Sequence, residues 1–137
     1  MSLHNNRKLQ RFEHGNLVVK VKKAGLFSML FSPRIASWLD FHQGGIAFIS
    51  DKRYTIGTLL KLDLSILDQK RIQTNNIAAR VKNIQIRPEG FRYGLEFDFE
   101  QNNYMRTSQV KTTLLDIEQL LEEIYFRLTG NADYHTE

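Results

Sequence analysis

Cysteine is absent from this chain of 137 residues, which excludes disulfide bonds, thiolate metal sites and a cysteine nucleophile. Only two prolines are present, Pro33 and Pro88, so there is little room for a stiff proline-rich linker. The longest nearly apolar stretch, residues 25–31, is too short to cross a bilayer. The N-terminus also lacks the apolar core of a signal peptide. We therefore expect a cytoplasmic protein that does not insert into a membrane.

The motifs of common catalytic and metal sites are also missing. The sequence contains no G-x-x-x-x-G-K-[ST] phosphate loop, no G-x-S-x-G nucleophile elbow and no H-E-x-x-H metal motif. Four histidines lack metal-ligand spacing to one another: His4, His14, His42 and His135. The sequence therefore predicts a binding protein that is not an enzyme and holds neither a metal nor another cofactor.

Positive charge is in mild excess. The chain has 19 lysines and arginines against 15 aspartates and glutamates, a formal net charge of +4. Among the first 23 residues Glu13 is the only acid, whereas the bases are Arg7, Lys8, Arg11, Lys20, Lys22 and Lys23. This segment is either an ordinary solvated basic terminus or an arm that meets an anionic partner.

Apolar and polar residues alternate with a period of two through the first hundred residues, which is typical of half-buried β-strands. The alternation predicts six short strands, near residues 17–22, 35–41, 46–49, 60–65, 77–86 and 91–99. A change of parity predicts a bulge near residues 82–83, and parity places Trp38 on the opposite side of its strand from Phe41. Because no helical pattern separates the strands, we expect a closed or nearly closed six-stranded antiparallel β-barrel.

The period then changes to that of a helix. Apolar residues follow at intervals of 4, 3, 4, 3 and 4: Val110, Leu114, Ile117, Leu121, Ile124 and Leu128. Thr107 or Ser108 can cap the start of this helix and Gly130 can stop it. The sequence thus predicts one mainly β domain, with an arm at 1–14, a barrel at 15–100, a long C-terminal helix at 106–129 and a tail at 130–137. The apolar stripe can pack on the barrel, or pair with a second copy in a homodimer.

Two short segments could carry binding chemistry. Arg7 and Arg11 lie four residues apart, so their side chains share a face in a helix and also in an extended chain. Guanidinium groups bind phosphates, and they donate pairs of hydrogen bonds to the O6 and N7 atoms of guanine. A pair spaced in this way also occurs often by chance.

The second segment, residues 40–45, reads Asp-Phe-His-Gln-Gly-Gly. The carboxylate of Asp40 could accept hydrogen bonds from the N1–H and N2–H₂ donors of guanine. Gly44 and Gly45 permit a positive φ and a close approach of the backbone to a ligand. An ordinary polar hairpin turn is the other interpretation.

Taken together and in this order, the two segments resemble the PilZ domain family, whose pattern is R-x-x-x-R, then some 20–30 residues, then [DN]-x-S-x-x-G. Arg7 and Arg11 match the first half, and Asp40 and Gly45 match the ends of the second. Gly57 before a leucine-rich strand, and the sequence R-Y-G-L-E-F at residues 92–97, are also similar to the family. The resemblance covers about residues 7–128. His42 departs from the pattern, since the family has serine there.

The resemblance implies a receptor for cyclic di-GMP, a bacterial second messenger with two guanines and two phosphates. Arg7 and Arg11 would bind guanine edges and phosphates. Asp40 would bind the Watson–Crick edge of one guanine. Gly44 and Gly45 would lie beneath that guanine. The imidazole of His42 could donate to a phosphate, stack on a guanine or crowd the pocket.

The resemblance also implies a downstream protein partner in motility, secretion or polysaccharide synthesis. Two other hypotheses remain at this stage. One is a nucleotide-independent adaptor that acts by protein contact. The other is a small nucleic-acid-binding barrel, which is disfavoured because the aromatic residues of the last strand share one face, as core residues do. We therefore expect no DNA partner.

Overall fold

The structure, a computed structural model, describes residues 17–24, 34–66 and 72–136, with side chains as far as Phe126. Six strands and one helix lie within these residues: β1 (Leu17–Lys23), β2 (Arg34–His42), β3 (Gly45–Ser50), β4 (Leu59–Ile66), β5 (Ile72–Arg87), β6 (Gly90–Phe97) and α1 (Ser108–Thr136). Each predicted strand is present, and each is somewhat longer than its apolar alternation indicates, apart from the last, which ends at Phe97.

The six strands form a closed barrel in the order β1-β2-β3-β6-β5-β4, and every neighbouring pair is antiparallel. Strands β1 to β3 are sequential neighbours, and β4 returns to lie beside β1, which is the arrangement of a Greek key. The predicted fold class is thereby confirmed: the protein is mainly β, with a six-stranded antiparallel barrel and a C-terminal helix.

Period-two alternation places one side of each strand inside the barrel. In β4 every second residue is buried, and Leu60, Leu62 and Leu64 have no exposed surface. In β6 the aromatic face predicted from the sequence is also confirmed, because Tyr93 and Phe97 belong to the buried core. Burial of each such side chain contributes about 1.5–3 kcal/mol by the hydrophobic effect.

The prediction that Trp38 and Phe41 face opposite sides of β2 is wrong. Trp38 pairs with Phe48, and Asp40 pairs with the next residue, Ala47, so Leu39 is an extra residue in a β-bulge. The bulge shifts the parity of the strand, and Trp38 and Phe41 both join the barrel core. A bulge is confirmed at the position predicted on β5, where the register shifts between Val81 and Asn83.

Helix α1 packs across the barrel with its first half. Thr107 caps the helix, since its Oγ1 accepts a hydrogen bond from the backbone N–H of Val110 at 3.4 Å. Val110, Leu114 and Ile117 are almost completely buried and are part of the barrel core. The N-terminal half of the apolar stripe therefore packs on the barrel, which is the first of the two predicted arrangements.

The predicted end of the helix is wrong. The helix continues past Gly130 to Thr136, through the segment predicted to be a tail. A glycine inside a helix costs only about 1 kcal/mol relative to alanine, and no proline follows to stop the chain. Within the described residues, no helix has both the length and the apolar character that crossing a membrane requires.

The segment between β3 and β4 is attached to the core by two tyrosines. The hydroxyl of Tyr93 donates to the carbonyl of Lys52 at 2.7 Å and accepts from the backbone N–H of Tyr54 at 2.9 Å. The rings of Tyr54 and Tyr93 meet edge to face, with centroids 5.2 Å apart. Burial, with a smaller contribution from Tyr93, raises the pKa of Tyr54 above its ordinary value.

Truncation of the helix stripe tests how far the barrel depends on α1. Leu114→Ala should lower the free energy of unfolding by about 2–5 kcal/mol, because the side chain is fully buried and would leave a cavity. The matched control, Ile86→Ala, alters a side chain that is 83% exposed and should change stability by less than about 0.5 kcal/mol. Urea unfolding measures both, and equal losses would contradict the packing described here.

Alkaline pH tests the burial of Tyr54. The raised pKa favours the neutral hydroxyl in the folded state. The contribution of Tyr54 to the free energy of unfolding is therefore complete below about pH 10. That contribution is lost as the pH rises through the folded-state pKa. Tyr54→Phe should therefore show a smaller fall in unfolding free energy above about pH 10 than the wild type. Urea unfolding at several alkaline pH values checks this, with the surface variant Tyr104→Phe as control; identical slopes in wild type and Tyr54→Phe would refute it.

Candidate functional site

Four of the six residues predicted to bind a ligand lie on one hairpin. Asp40 and His42 are in β2, Gly45 begins β3, and Gly44 is in the two-residue turn between them. The other two, Arg7 and Arg11, lie outside the described residues, so their roles stay predictions.

The register of the strands places Asp40 and His42 on the outer face of the barrel. Their neighbour Phe41 is in the core, and it pairs with Ile46, which is also in the core. Asp40 instead pairs with Ala47, and His42 with Gly45. Because side chains alternate along a strand, the side chains at positions 40 and 42 project outward on the same side.

The outer face beside Asp40 is made of very small residues. Ala47 of β3 lies between Asp40 of β2 and Gly94 of β6, and Gly45 is two residues before Ala47 on the same face. A methyl group is the largest side chain among these three neighbours. Gly45 and Ala47 are themselves buried, and the side chain of Asn83 lies against Gly94, so the small residues bring the strands close together beside the carboxylate.

Gly45 is required by packing rather than by its backbone angle. A Cβ at this position would collide with the carbonyl oxygen of Leu95 on the neighbouring strand β6. Within the described residues, positive φ values occur at Gly57 and Gly90 among the glycines. Gly44 and Gly45 permit a positive φ, but neither adopts one in this turn.

The carboxylate of Asp40 is half-buried, and across the described part of the chain it makes no hydrogen bond or ion pair. Such a group retains its full capacity to accept hydrogen bonds. A ligand that presents two adjacent N–H donors, as the Watson–Crick edge of guanine does, would satisfy it.

His42 takes part in the turn through its ring. Its Nδ1 accepts a hydrogen bond from the backbone N–H of Gly44 at 2.9 Å, a geometry that assigns the proton of the neutral ring to Nε2. A serine hydroxyl makes the same kind of bond to the amide two residues on. The imidazole thus supplies an acceptor that a serine at position 42 could also supply, and it leaves an N–H donor on an exposed side chain.

The hairpin turn is also connected to two distant elements. The carbonyl of Gly44 accepts from the backbone N–H of Phe97, at the end of β6, at 3.0 Å. The backbone N–H of Gln43 donates to the Oε1 atom of Glu118 in α1, also at 3.0 Å. Sequence reasoning missed Glu118, because no local pattern relates residues 75 positions apart.

The structure adds one cation to the same outer face. Arg92 is two residues before Gly94 on β6, so the two side-chain positions share a face, and it pairs with Ile49 of β3. It is partly buried. The alternation of β6 already indicates that residue 92 points away from the aromatic core, but only the pairing of β3 with β6 brings it beside the hairpin.

The described residues also bear on two other kinds of site, a metal centre and an enclosed cavity. Among the described residues, no group of three or more histidines, aspartates or glutamates could hold a metal ion. A cavity of about 520 Å³ lies between β4, β5 and the start of α1, and its lining includes Lys61, Gln73, Asn75, Asn76, Tyr104 and Gln109. No residue of the β2–β3 hairpin lines this cavity.

On the outer face of a closed barrel, β2 thus presents a carboxylate without a hydrogen bond in the described residues and an imidazole N–H, an arrangement that suits ligand binding. The family model of the PilZ domain matches residues 6–114, which include both arginines and the whole hairpin, and the chain therefore belongs to the PilZ domain family. PilZ domains are binding and adaptor domains, and the family is known for receptors of cyclic di-GMP. No curated protein matches this chain.

The collision described at Gly45 can be tested by substitution. Gly45→Ala should lower the unfolding free energy by about 1–3 kcal/mol, because β3 and β6 must separate to admit the methyl group. Gly44→Ala is the matched control, since its Cβ would meet a side chain, the ring of His42 at 3.1 Å, and no backbone atom of a neighbouring strand. Urea unfolding measures both, and an unchanged stability for Gly45→Ala would show that the approach of the strands is not as close as described.

Proposed function

We propose that this protein is a cyclic di-GMP receptor that binds the nucleotide on the outer face of the β2–β3 hairpin and acts on a partner protein. Membership of the PilZ family supports the proposal. The observation that carries it is the Asp40 carboxylate, which is half-buried beside Gly45, Ala47 and Gly94 and has no partner across the described part of the chain.

Each predicted ligand residue has a chemical task in this proposal. Asp40 accepts from the N1–H and N2–H₂ groups of one guanine. His42 offers its Nε2–H to a phosphate oxygen while Nδ1 remains on the turn. Gly44 and Gly45 keep the turn narrow beneath the ligand.

Arg7 and Arg11 complete the site from the N-terminal arm. Guanidinium donates in a planar fork, which suits phosphate oxygens and the O6 and N7 atoms of guanine. Ordering the arm costs about 1–2 kcal/mol for each residue fixed, and charge-assisted hydrogen bonds of about 1.5–3 kcal/mol each must offset this cost. Loss of either arginine should therefore weaken binding strongly.

The output of binding would be a changed surface where the arm meets the barrel, read by a cytoplasmic partner in motility, secretion or polysaccharide synthesis. The C-terminal part of α1 offers a second contact surface. Its stripe continues beyond the core residues through the partly buried Leu121 and Ile124, and Phe126 is 60% exposed. A homodimer through this half of the helix remains part of the proposal.

A second candidate is an adaptor that acts by protein contact without nucleotide. His42 in place of the family serine favours it, because an imidazole is larger than a hydroxyl and occupies space at the turn. The third hypothesis, a nucleic-acid-binding barrel, has less support, since the β6 aromatics Tyr93 and Phe97 are in the core and do not form a stacking platform.

Titration with cyclic di-GMP in a calorimeter tests the proposal. The wild type should bind, and Arg7→Ala, Arg11→Ala and Asp40→Asn should each weaken binding by at least about tenfold, the factor that corresponds to 1.4 kcal/mol. A linear GMP dinucleotide serves as the ligand control. Wild-type affinity in both arginine variants would refute the assignment.

Matched variants separate site effects from general charge effects. Lys8→Ala removes a positive charge between the two arginines, and Asp51→Asn removes an exposed carboxylate that pairs with Arg34; both should bind as the wild type does. His42→Ser should keep binding, because the hydroxyl can accept from Gly44 as the imidazole does. A wild type that gives no heat while His42→Ser binds would favour the adaptor.

A further inference from the structure

We propose that Glu118 of α1 opposes anion binding at the β2–β3 hairpin, so that the docked C-terminal helix and the ligand compete for the same turn. The inference rests on the proposed function. The proposal gives the carboxylate of Glu118 a regulatory role at a turn that lies 75 residues away in the sequence.

The competition follows from the hydrogen-bond donors that the turn can offer. Gln43 and Gly44 are the two turn residues between β2 and β3. The amide of Gly44 is bonded to the ring of His42, within the turn itself. The amide of Gln43 is bonded to Glu118, so among the described residues the side-chain acceptor that reaches the turn from another element is a carboxylate.

A carboxylate at this place acts as an internal substitute for an anionic ligand. Phosphate oxygens, like carboxylate oxygens, accept strong hydrogen bonds from backbone N–H groups. A phosphate that approaches the turn must therefore displace Glu118 from the amide of Gln43 or lie beside its negative charge. Either outcome weakens binding for as long as Glu118 stays in place.

The packing of α1 keeps Glu118 in place. Its neighbour Ile117 and the residue one turn earlier, Leu114, have no exposed surface and belong to the barrel core. Glu118 is itself partly buried. Its side chain can leave Gln43 by rotating away, or the helix can loosen from the barrel at this point.

Glu118 lies beyond the segment that the family model matches, which ends at residue 114. The pattern R-x-x-x-R with [DN]-x-S-x-x-G is complete before that point, so this contact adds to the shared site of the family. In this chain the helix is therefore connected to the part of the hairpin that bears His42, Gly44 and Gly45.

When ligand binding and the contact of Glu118 with Gln43 affect one another, the change in free energy is the same in both directions. If the docked Glu118 weakens ligand binding, then bound ligand must weaken the contact of Glu118 with the turn by the same factor. Ligand binding would thereby loosen the middle of α1, from which the exposed Phe126 and the rest of the helix extend.

Calorimetric titration of Glu118→Gln with cyclic di-GMP tests the competition. Glutamine has the same shape but no charge, so binding should become about three- to tenfold tighter, as expected for removing a like charge about 5 Å away where water screens most of the repulsion. The matched control is Glu122→Gln, an exposed glutamate one helical turn further on, which should stay within about twofold of the wild type.

Amide hydrogen exchange gives a second readout, measured first without ligand and then with it. In the free protein the amide of Gln43 should exchange faster in Glu118→Gln than in Glu122→Gln. Saturating cyclic di-GMP should raise exchange around residues 115–122 in the wild type.

Failure of this inference and failure of the proposed function give different results. Equal affinities in the two glutamate variants, or weaker binding in Glu118→Gln, would overturn the competition while the receptor function stands. No heat from the wild type and from Glu118→Gln alike would overturn the receptor function. Binding by Glu118→Gln alone would support the competition in its strongest form.

Discussion

The close approach of β3 to β6 is the constraint on which the rest of the structure depends. Gly45 lies against the carbonyl of Leu95, where no side chain fits, and this contact joins the first three strands of the barrel to its last two, β5 and β6. The same approach creates the surface beside Asp40, because Ala47 and Gly94 face outward where the two strands meet. Barrel closure and the candidate ligand surface therefore have one physical cause.

The hairpin turn connects this surface to the helix. Gly44 is bonded to Phe97 of β6, and Gln43 to Glu118 of α1. Both partners lie next to the barrel core, since Phe97 and Ile117 belong to it. A turn at the surface would ordinarily move independently of the core, whereas here both of its amides and the carbonyl of Gly44 are bonded. A ligand on the hairpin thus acts on a turn whose hydrogen bonds extend into the packed part of the molecule.

The substitution of histidine for the family serine is easier to understand from the structure than from the sequence. The family pattern alone presents His42 as a departure that could remove ligand binding. The bond from the Gly44 amide to Nδ1 gives the ring the role that a hydroxyl has in a serine turn. The departure therefore preserves the local geometry, and it changes the size of the side chain and the position of the donor.

The sequence by itself determined the strands, the core face of β6, the bulge near Asn83 and the start of α1, because alternation and capping are local properties. It also determined the motif that gathers Asp40, His42, Gly44 and Gly45. Only the tertiary structure decided that Leu39 bulges and turns Trp38 inward, that the helix passes Gly130, and that Gly45 is needed for packing. It alone brought Gly94 and Glu118 to the hairpin, because strand order and helix docking join residues that no local pattern relates.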